Sequence, residues 1–398
     1  MADATCAGCG CACDDIEVTV VEGRLAGVTR TCALGDVWFA ERGGDRPPVA
    51  RVDGRAVEVE EAAEAAAAIL RQSRAPLVYG LGQTSCEAER RALGLAEAIG
   101  AIVDPGGASG ASLAYQAIGS STATFGEIRD RAELVVAWRA DPALTNPRLL
   151  GRLRIERRPL VVVDAQRTAT AEEAASFIEV DAAHDFEALW ALRALVTRAP
   201  LDGAHAAQLP LDALDELAER LLAARHVAVL HGPMGELEAL ALLALVRDLS
   251  RDRHAVTLGL RGDGNARGAE DVLAWQTGFP AAVSFARGYP RANPGELSAA
   301  ALLQRGEVDA ALVVASDPLA HLPTAAAQRL RELPTVVVDA RATTTAKAAH
   351  VAFVTAADGI ELVGTVHRMD GVPVPLRAPL AGEGPGAADV LAAIAKRL

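Results

Sequence analysis

Aromatic side chains are scarce in this chain: Phe, Trp and Tyr make up 4% of its 398 residues, although 51% of them are hydrophobic. The interior is therefore expected to be built from Ala, Val and Leu. Long apolar runs are missing as well. No stretch approaches the roughly 18 uninterrupted apolar residues of a spanning helix, which excludes a helical membrane anchor within this sequence. The start, M-A-D-A-T-C-A-G-C-G, has no basic segment followed by an apolar one. No secretory signal is expected, and the protein is expected to be cytoplasmic. Positive charge is also short: 52 acidic against 39 basic residues leave a net charge of −13. Nucleic acid and anionic membranes both require basic patches, so neither is an expected partner.

Several catalytic signatures are absent. The eight histidines form no H-x-H or H-E-x-x-H pair, so no zinc hydrolase site can be assembled from local motifs. There is no G-x-S-x-G elbow and no G-x-x-x-x-G-K-[ST] loop. Gly80-Leu81-Gly82 follows a strand-like segment, but Ser85 stands where a dinucleotide loop would place its third glycine. Arg261-Gly262-Asp263-Gly264-Asn265 is a second glycine-rich turn after a strand-like segment.

What is present is a regular alternation. Short, β-branched, wholly apolar segments at 76–79, 134–138, 160–163, 227–230, 256–260, 311–315, 335–338 and 351–354 read as strands covered on both faces. Ala/Leu/Arg-rich segments at 59–72, 87–99, 212–224 and 237–250 read as helices. The expected fold class is α/β, with a small N-terminal Cys-rich β unit followed by two related, doubly wound, Rossmann-like domains. Residues 16–28 read as a hairpin turning near Glu22-Gly23. The expected organisation is a cluster-loop unit at 1–50, a first α/β domain at 51–220, a second at 221–360, and a C-terminal extension at 361–398 that packs back on them.

An internal repeat supports the two related domains. E-L-V-V-A-W-R-A-D-P leads to P-L-V-V-V-D-A-Q-R-T-A-T-A, and later D-A-A-L-V-V-A-S-D-P leads to P-T-V-V-V-D-A-R-A-T-T-T-A. In each copy a strand ends at Asp-Pro (Asp141, Asp317) and a second strand ends at Asp-Ala (Asp164, Asp339). Open α/β sheets bind ligands outside the carboxyl ends of their strands, so these four aspartates mark a possible pair of nucleotide half-sites. The alternative is that each only accepts backbone hydrogen bonds in its turn.

Cys6, Cys9 and Cys13, with Cys32 downstream, are the strongest chemical signal. A short cysteine loop plus one distant thiol suits a [4Fe–4S] cluster better than the paired C-x2-C steps of a zinc ribbon. Zinc and metal-free thiols stay open as alternatives, and Cys11 is a spare. Cys86 stands alone and reads as a small buried side chain.

Together these residues resemble the B subunit of formylmethanofuran dehydrogenase, a molybdenum- or tungsten-pterin protein. The likeness is carried by C-A-G-C-G-C-A-C-D-D-I from Cys6, S-C-E-A-E from Ser85, G-E-I-R-D-R-A-E from Gly126 and W-Q-T-G-F-P from Trp275. It is carried further by F-A-R-G-Y-P-R-A-N-P-G-E from Phe285, S-D-P-L-A-H-L-P from Ser316 and G-T-V-H-R-M-D-G-V-P from Gly364. The resemblance implies Cys6, Cys9, Cys13 and Cys32 as cluster ligands. It also implies two pterin guanine dinucleotides holding a metal between the two domains.

The segment D-P-G-G-A-S-G-A-S-L from Asp104 departs from the family. Where the family run C-H-G-P-S-L supplies a metal-ligating Cys or selenocysteine followed by His, this chain has Ala108 and Ser109. Where the family has an R-G-H-Y-N-like run, this chain has Asp263 and Gly264. The resemblance therefore implies a vestigial redox site (Ala108, Ser109, Asp263, Arg287), a vestigial pterin groove (Asp141, Asp164, Asp317, Asp339), and no molybdopterin or tungstopterin. The pattern is most like the B subunit of the formyltransferase/hydrolase complex of methylotrophs. There, a formyl group passes from a tetrahydromethanopterin carrier to a furan carrier and is released as formate during one-carbon oxidation. The implied role is a non-catalytic scaffold among amidohydrolase-like, formyltransferase and C-subunit-like partners. Two alternatives remain: an active molybdenum or tungsten subunit with a replacement ligand, and an iron–sulfur electron carrier.

Overall fold

The computed structural model describes residues 1, 3–43, 49–106, 110–201, 208–382 and 384–398. The chain does not divide at 50, 220 and 360. One compact unit comprises Met1–Gly107 with Asp263–Leu398, and the other is Ala108–Gly262. Sheet pairing is the reason. Strands Pro76–Gly80 and Ile102–Asp104 pair with each other, and the first pairs with the distant Ala310–Val314 rather than with Leu134–Trp138. Residues 108–262 are thus an insertion that carries its own sheet.

In the first unit, the central strands run Ile102–Asp104, Pro76–Gly80, Ala310–Val314, Thr335–Asp339, Val351–Val354, all parallel. Antiparallel fringes extend this to nine strands: Val283–Ser284 and Arg291–Ala292 at one edge, Ala50–Val52 and Arg55–Ala56 at the other. Strand order reverses between Pro76–Gly80 and Ala310–Val314, the position where open sheets present their ligand crevice. The core is Ala- and Val-rich, as composition demands: Ala62, Ala63, Ala66 and Ala67 on helix Val59–Gln72 pack with Val78, Val314 and Val336. The last helix, Ala387–Ala395, packs on helices Val59–Gln72 and Cys86–Ala98 of this unit.

The expected hairpin is present within this unit. Strands Cys13–Val21 and Arg24–Thr29 meet at Glu22 and Gly23, which both take left-handed φ values of 50° and 75°. That pair of conformations matches the right-handed twist of the flanking strands.

The second unit holds one parallel sheet in the order Ser176–Glu179, Leu160–Asp164, Leu134–Trp138, His226–His231, His254–Gly259. Helices Asp185–Thr197, Leu211–Ala223 and Glu236–Leu249 contribute Leu-rich faces to its core.

The repeat extends to the backbone. Arg139 and Ala315, one residue past equivalent strands, have φ of 47° and 48°. Their amides donate to Val163 and Val338. Gly232 and Leu81 donate to Trp138 and Val314, the equivalent carbonyls. No helix among the described residues is long and apolar enough to cross a membrane.

Candidate functional site

The cysteine loop sits in the first unit. Cys6, Cys9, Cys11 and Cys13 are buried, and Cys32 is half-buried at the N-terminus of helix Ala33–Arg42. The backbone N–H of Gly8 donates to Cys6 Sγ at 3.4 Å. Glycine is required nearby: an added Cβ on Gly35 would come 3.1 Å from Cys6 Sγ and 2.1 Å from Thr31 Oγ1. Burial pushes the Cys6 thiol up to about 12, and the neighbouring Cys13, Cys9 and Cys32 push it the same way while the Gly8 amide opposes them. Among the described residues, no three His, Cys, Asp or Glu side chains converge as ligands of one ion. A cubane asks for a different spread, with one thiolate on each iron. Cys9, Cys13 and Cys32 lie close enough to Cys6 for their charges to act on it, and the Cys6 sulfur is buried beside a backbone N–H, which suits a cluster ligand.

Helix Ala33–Arg42 connects this loop to the sheet. Trp38 packs against Gly8, and Arg42, 5% exposed, stacks over the Trp38 ring at 5.0 Å. Arg42 donates to Gln83 Oε1 at 2.8 Å, and Gln83 Nε2 donates to Asp263 Oδ1 at 2.7 Å. Desolvation lowers the Arg42 guanidinium to about 10, with Arg341 adding repulsion.

Gln83 and Asp263 form part of the wall of a cavity of about 390 Å³ at the carboxyl ends of the central strands. Tyr79, Ser316, His321 and Arg341 line it too. Tyr79 Oη lies 2.9 Å from His321 Nε2. Burial raises the Tyr79 phenol, with Asp104 and Asp263 adding to the shift. Arg341 reaches Asp339 through two nitrogens at 3.0 and 3.1 Å.

The four strand-end aspartates have structural work. Asp141 Oδ1 accepts from Thr170 N and Oγ1 at 2.9 and 2.6 Å, and Asp317 Oδ1 accepts from Thr345 N and Oγ1 at 2.8 and 2.6 Å. Asp164 is held by Arg139, whose guanidinium also binds Asp185 and the Val180 carbonyl. Asp317 borders the cavity, whereas Asp141 and Asp164 lie in the other unit. Arg287 is exposed on the turn before strand Arg291–Ala292 and is not among the cavity-lining residues. Ala108 and Ser109 lie outside the described residues.

Residues that sequence reasoning missed surround Asn265. This side chain is fully buried and donates to Thr84 O and Glu89 Oε1, both at 2.8 Å, while its Oδ1 accepts from His367 N at 2.7 Å. His367 Nδ1 in turn lies 2.8 Å from Asp271 Oδ2. The motifs S-C-E-A-E and G-T-V-H-R-M-D-G therefore meet at Asn265, a juxtaposition that linear spacing does not reveal. Next to Asn265, Gly264 lies against the cysteine loop, where an added Cβ would come 2.0 Å from Ala7 O.

Glu89 is wholly buried and its Oε2 has no hydrogen-bond partner among the described residues. Burial raises its pKa well above the ordinary value, which favours the neutral carboxyl in the fold. An acid whose pKa is raised by folding loses stability as pH climbs above its unfolded value, by about 1.4 kcal/mol per pH unit until the folded pKa is reached. Glu89→Gln keeps the shape and removes the titration. It is expected to flatten the fall in stability that sets in as pH rises above the ordinary carboxylate pKa, relative to the parent, read from urea unfolding at each pH. Parallel curves for the two proteins would show that Glu89 is not the titrating group.

No family model matches the chain. It is 35% identical to the B subunit of the tungsten-containing formylmethanofuran dehydrogenase 2 of Methanocaldococcus jannaschii, an alignment covering 94% of this chain and 92% of that one. It is 32% identical to the B subunit of the formyltransferase/hydrolase complex Fhc of Methylorubrum extorquens, over 67% of this chain and 74% of that relative. Among solved structures, a chain of the formyltransferase/hydrolase complex FhcABCD from Methylorubrum extorquens, crystallised with methylofuran, has a TM-score of 0.71 at 29% identity. That match covers 87% of this chain and 98% of the other. Acetylene hydratase from Pelobacter acetylenicus shares the fold, with a TM-score of 0.66 at 13% identity over 99% of this chain and 69% of that one.

Proposed function

Because the chain belongs to the B-subunit family of formylmethanofuran dehydrogenase, we propose that it is a non-catalytic scaffold subunit of a formyltransferase/hydrolase complex. The observation that carries this reading is the likeness to a chain of FhcABCD, which spans 98% of that chain. In such a complex, the formyl group moves from a tetrahydromethanopterin carrier to a furan carrier and leaves as formate. Transferase and hydrolase chemistry would belong to the other subunits, the amidohydrolase-like, formyltransferase and C-subunit-like partners. The departure at Ala108 supports the absence of a redox centre of its own: a methyl group has no lone pair to give a metal.

Cys6, Cys9, Cys13 and Cys32 would hold the [4Fe–4S] cluster. When bound, it would cross-link the loop at 6–13 to the start of helix Ala33–Arg42 through four iron–sulfur bonds. Gly8 and Gly35 make room around Cys6, and the Gly8 N–H stabilises its sulfur. In this reading the cluster fastens structure and passes no electrons onward.

A second reading, an active tungsten or molybdenum subunit, is favoured by the 35% identity to a tungsten-containing relative. The two are separated by purifying the native complex and measuring tungsten, molybdenum and viologen-linked formate oxidation together. We expect neither metal and no viologen reduction. Stoichiometric tungsten or molybdenum would refute the scaffold reading.

A further inference from the structure

A dinucleotide on an open α/β sheet needs three things where strand order reverses: free backbone amides at a helix N-terminus, cations for the diphosphate, and a strand-end carboxylate for sugar hydroxyls. Each unit has the corresponding places. In each, the chain's own side chains occupy them.

In the first unit, strand Pro76–Gly80 turns through 81–85 into helix Cys86–Ala98. Asp263 lies over this turn. An added Cβ on Gly82 would come 2.9 Å from Asp263 Oδ2, so the carboxylate rests on the glycine that a phosphate would approach. The first amide ahead of the helix is also taken: Ser85 N donates to Asp358 Oδ2 at 2.8 Å, and Thr84 Oγ1 donates to the same oxygen at 2.8 Å. Glu87 adds a further acid in the first helical turn. The cation near the cavity, Arg341, is engaged by the strand-end Asp339.

In the second unit, strand His226–His231 turns into helix Glu236–Leu249. The Glu238 carboxylate folds back over Gly235, 2.2 Å from where a Cβ would stand. The strand-end Asp164 is held by Arg139 at 3.2 Å. In both copies of the repeat a carboxylate thus lies over a glycine of the strand-to-helix turn, and the strand-end aspartate is paired with an arginine.

We propose that both strand-to-helix turns, 80–85 and 231–235, are closed to dinucleotide diphosphates by the chain itself: Asp263 and Asp358 cover the first, and Glu238 covers the second. The residues present do not fit a pterin dinucleotide. The proposal deepens the scaffold reading and rests on it. It explains why a sheet with an open cavity at its switch point does not require that ligand.

The test is calorimetric titration of the purified native complex with inorganic pyrophosphate and, separately, with ADP. Metal content is measured on the same sample. Wild type is expected to show no saturable binding up to about 1 mM. Asp263→Asn removes one like charge from the first turn while keeping the Gln83 hydrogen bond in reach, and it should raise affinity at least tenfold. Glu238→Gln should do the same for the second turn. Saturable wild-type binding well below 1 mM, or two variants as inert as wild type, would overturn the closure. Saturable wild-type binding in metal-free complex would strike the closure and leave the scaffold reading standing, whereas stoichiometric tungsten or molybdenum would strike the scaffold reading and, because a pterin dinucleotide carries that metal, the closure with it.

Discussion

Replacing Asn265 with alanine is expected to lower stability by about 3–5 kcal/mol. Three short hydrogen bonds vanish at once, together with the longer contacts to Cys86 Sγ. The lost partners are the Thr84 carbonyl, the Glu89 carboxyl and the His367 amide, and the Asn265 side chain is fully buried. The site is closed to bulk solvent, so each partner is left desolvated. Glu89 would suffer most, because one of its oxygens already has no partner. The measurement is the urea midpoint and slope of the purified protein. A loss under about 1 kcal/mol would mean that the hub is dispensable. Asn265→Asp tests the charge separately: it keeps the shape but sets a second acid beside Glu89, and should be no better tolerated.

The second large effect is expected at Gly264. An added methyl would meet the Ala7 carbonyl oxygen at 2.0 Å and its carbon at 2.5 Å, both backbone atoms. Backbone cannot swing aside as a flexible side chain can, so Gly264→Ala should displace the cysteine loop and cost about 3 kcal/mol. Because Ala7 lies between Cys6 and Cys9, iron content per chain should fall with it under the proposed cluster reading. Gly262→Ala is the control, since a Cβ there meets nothing within 4 Å among the described residues. That change is expected to stay within about 0.5 kcal/mol. Full iron content and unchanged stability in Gly264→Ala would show that the loop does not seat on this turn.

Gly264 also illustrates how far linear reading reaches. In sequence it is a lost aromatic within a glycine-rich turn. In the fold it is the seat of a loop more than 250 positions away in the chain. Asp263, beside it, was legible as an acid where the family has a histidine. Its contact with Gly82 and its hydrogen bond to Gln83 were not legible, because they join segments that meet only through sheet pairing. The four strand-end aspartates show the reverse. The sequence left them open between ligand site and turn chemistry, and the repeated Asp–Thr bonds give Asp141 and Asp317 a structural role. Glu89, Asn265 and His367 carried no individual signal, since burial and partner identity are not written in local spacing.

The strand and helix pattern, the internal repeat and the cysteine spacing followed from residue order alone, because periodicity, β-branching and turn residues act over a few neighbours. The discontinuous first unit, the Asn265 hub, the cavity at the strand ends and the carboxylates lying over both helix entries depended on tertiary structure. They arise where distant segments compete for the same space and the same hydrogen-bond donors, and that competition is settled only when the sheet closes around them.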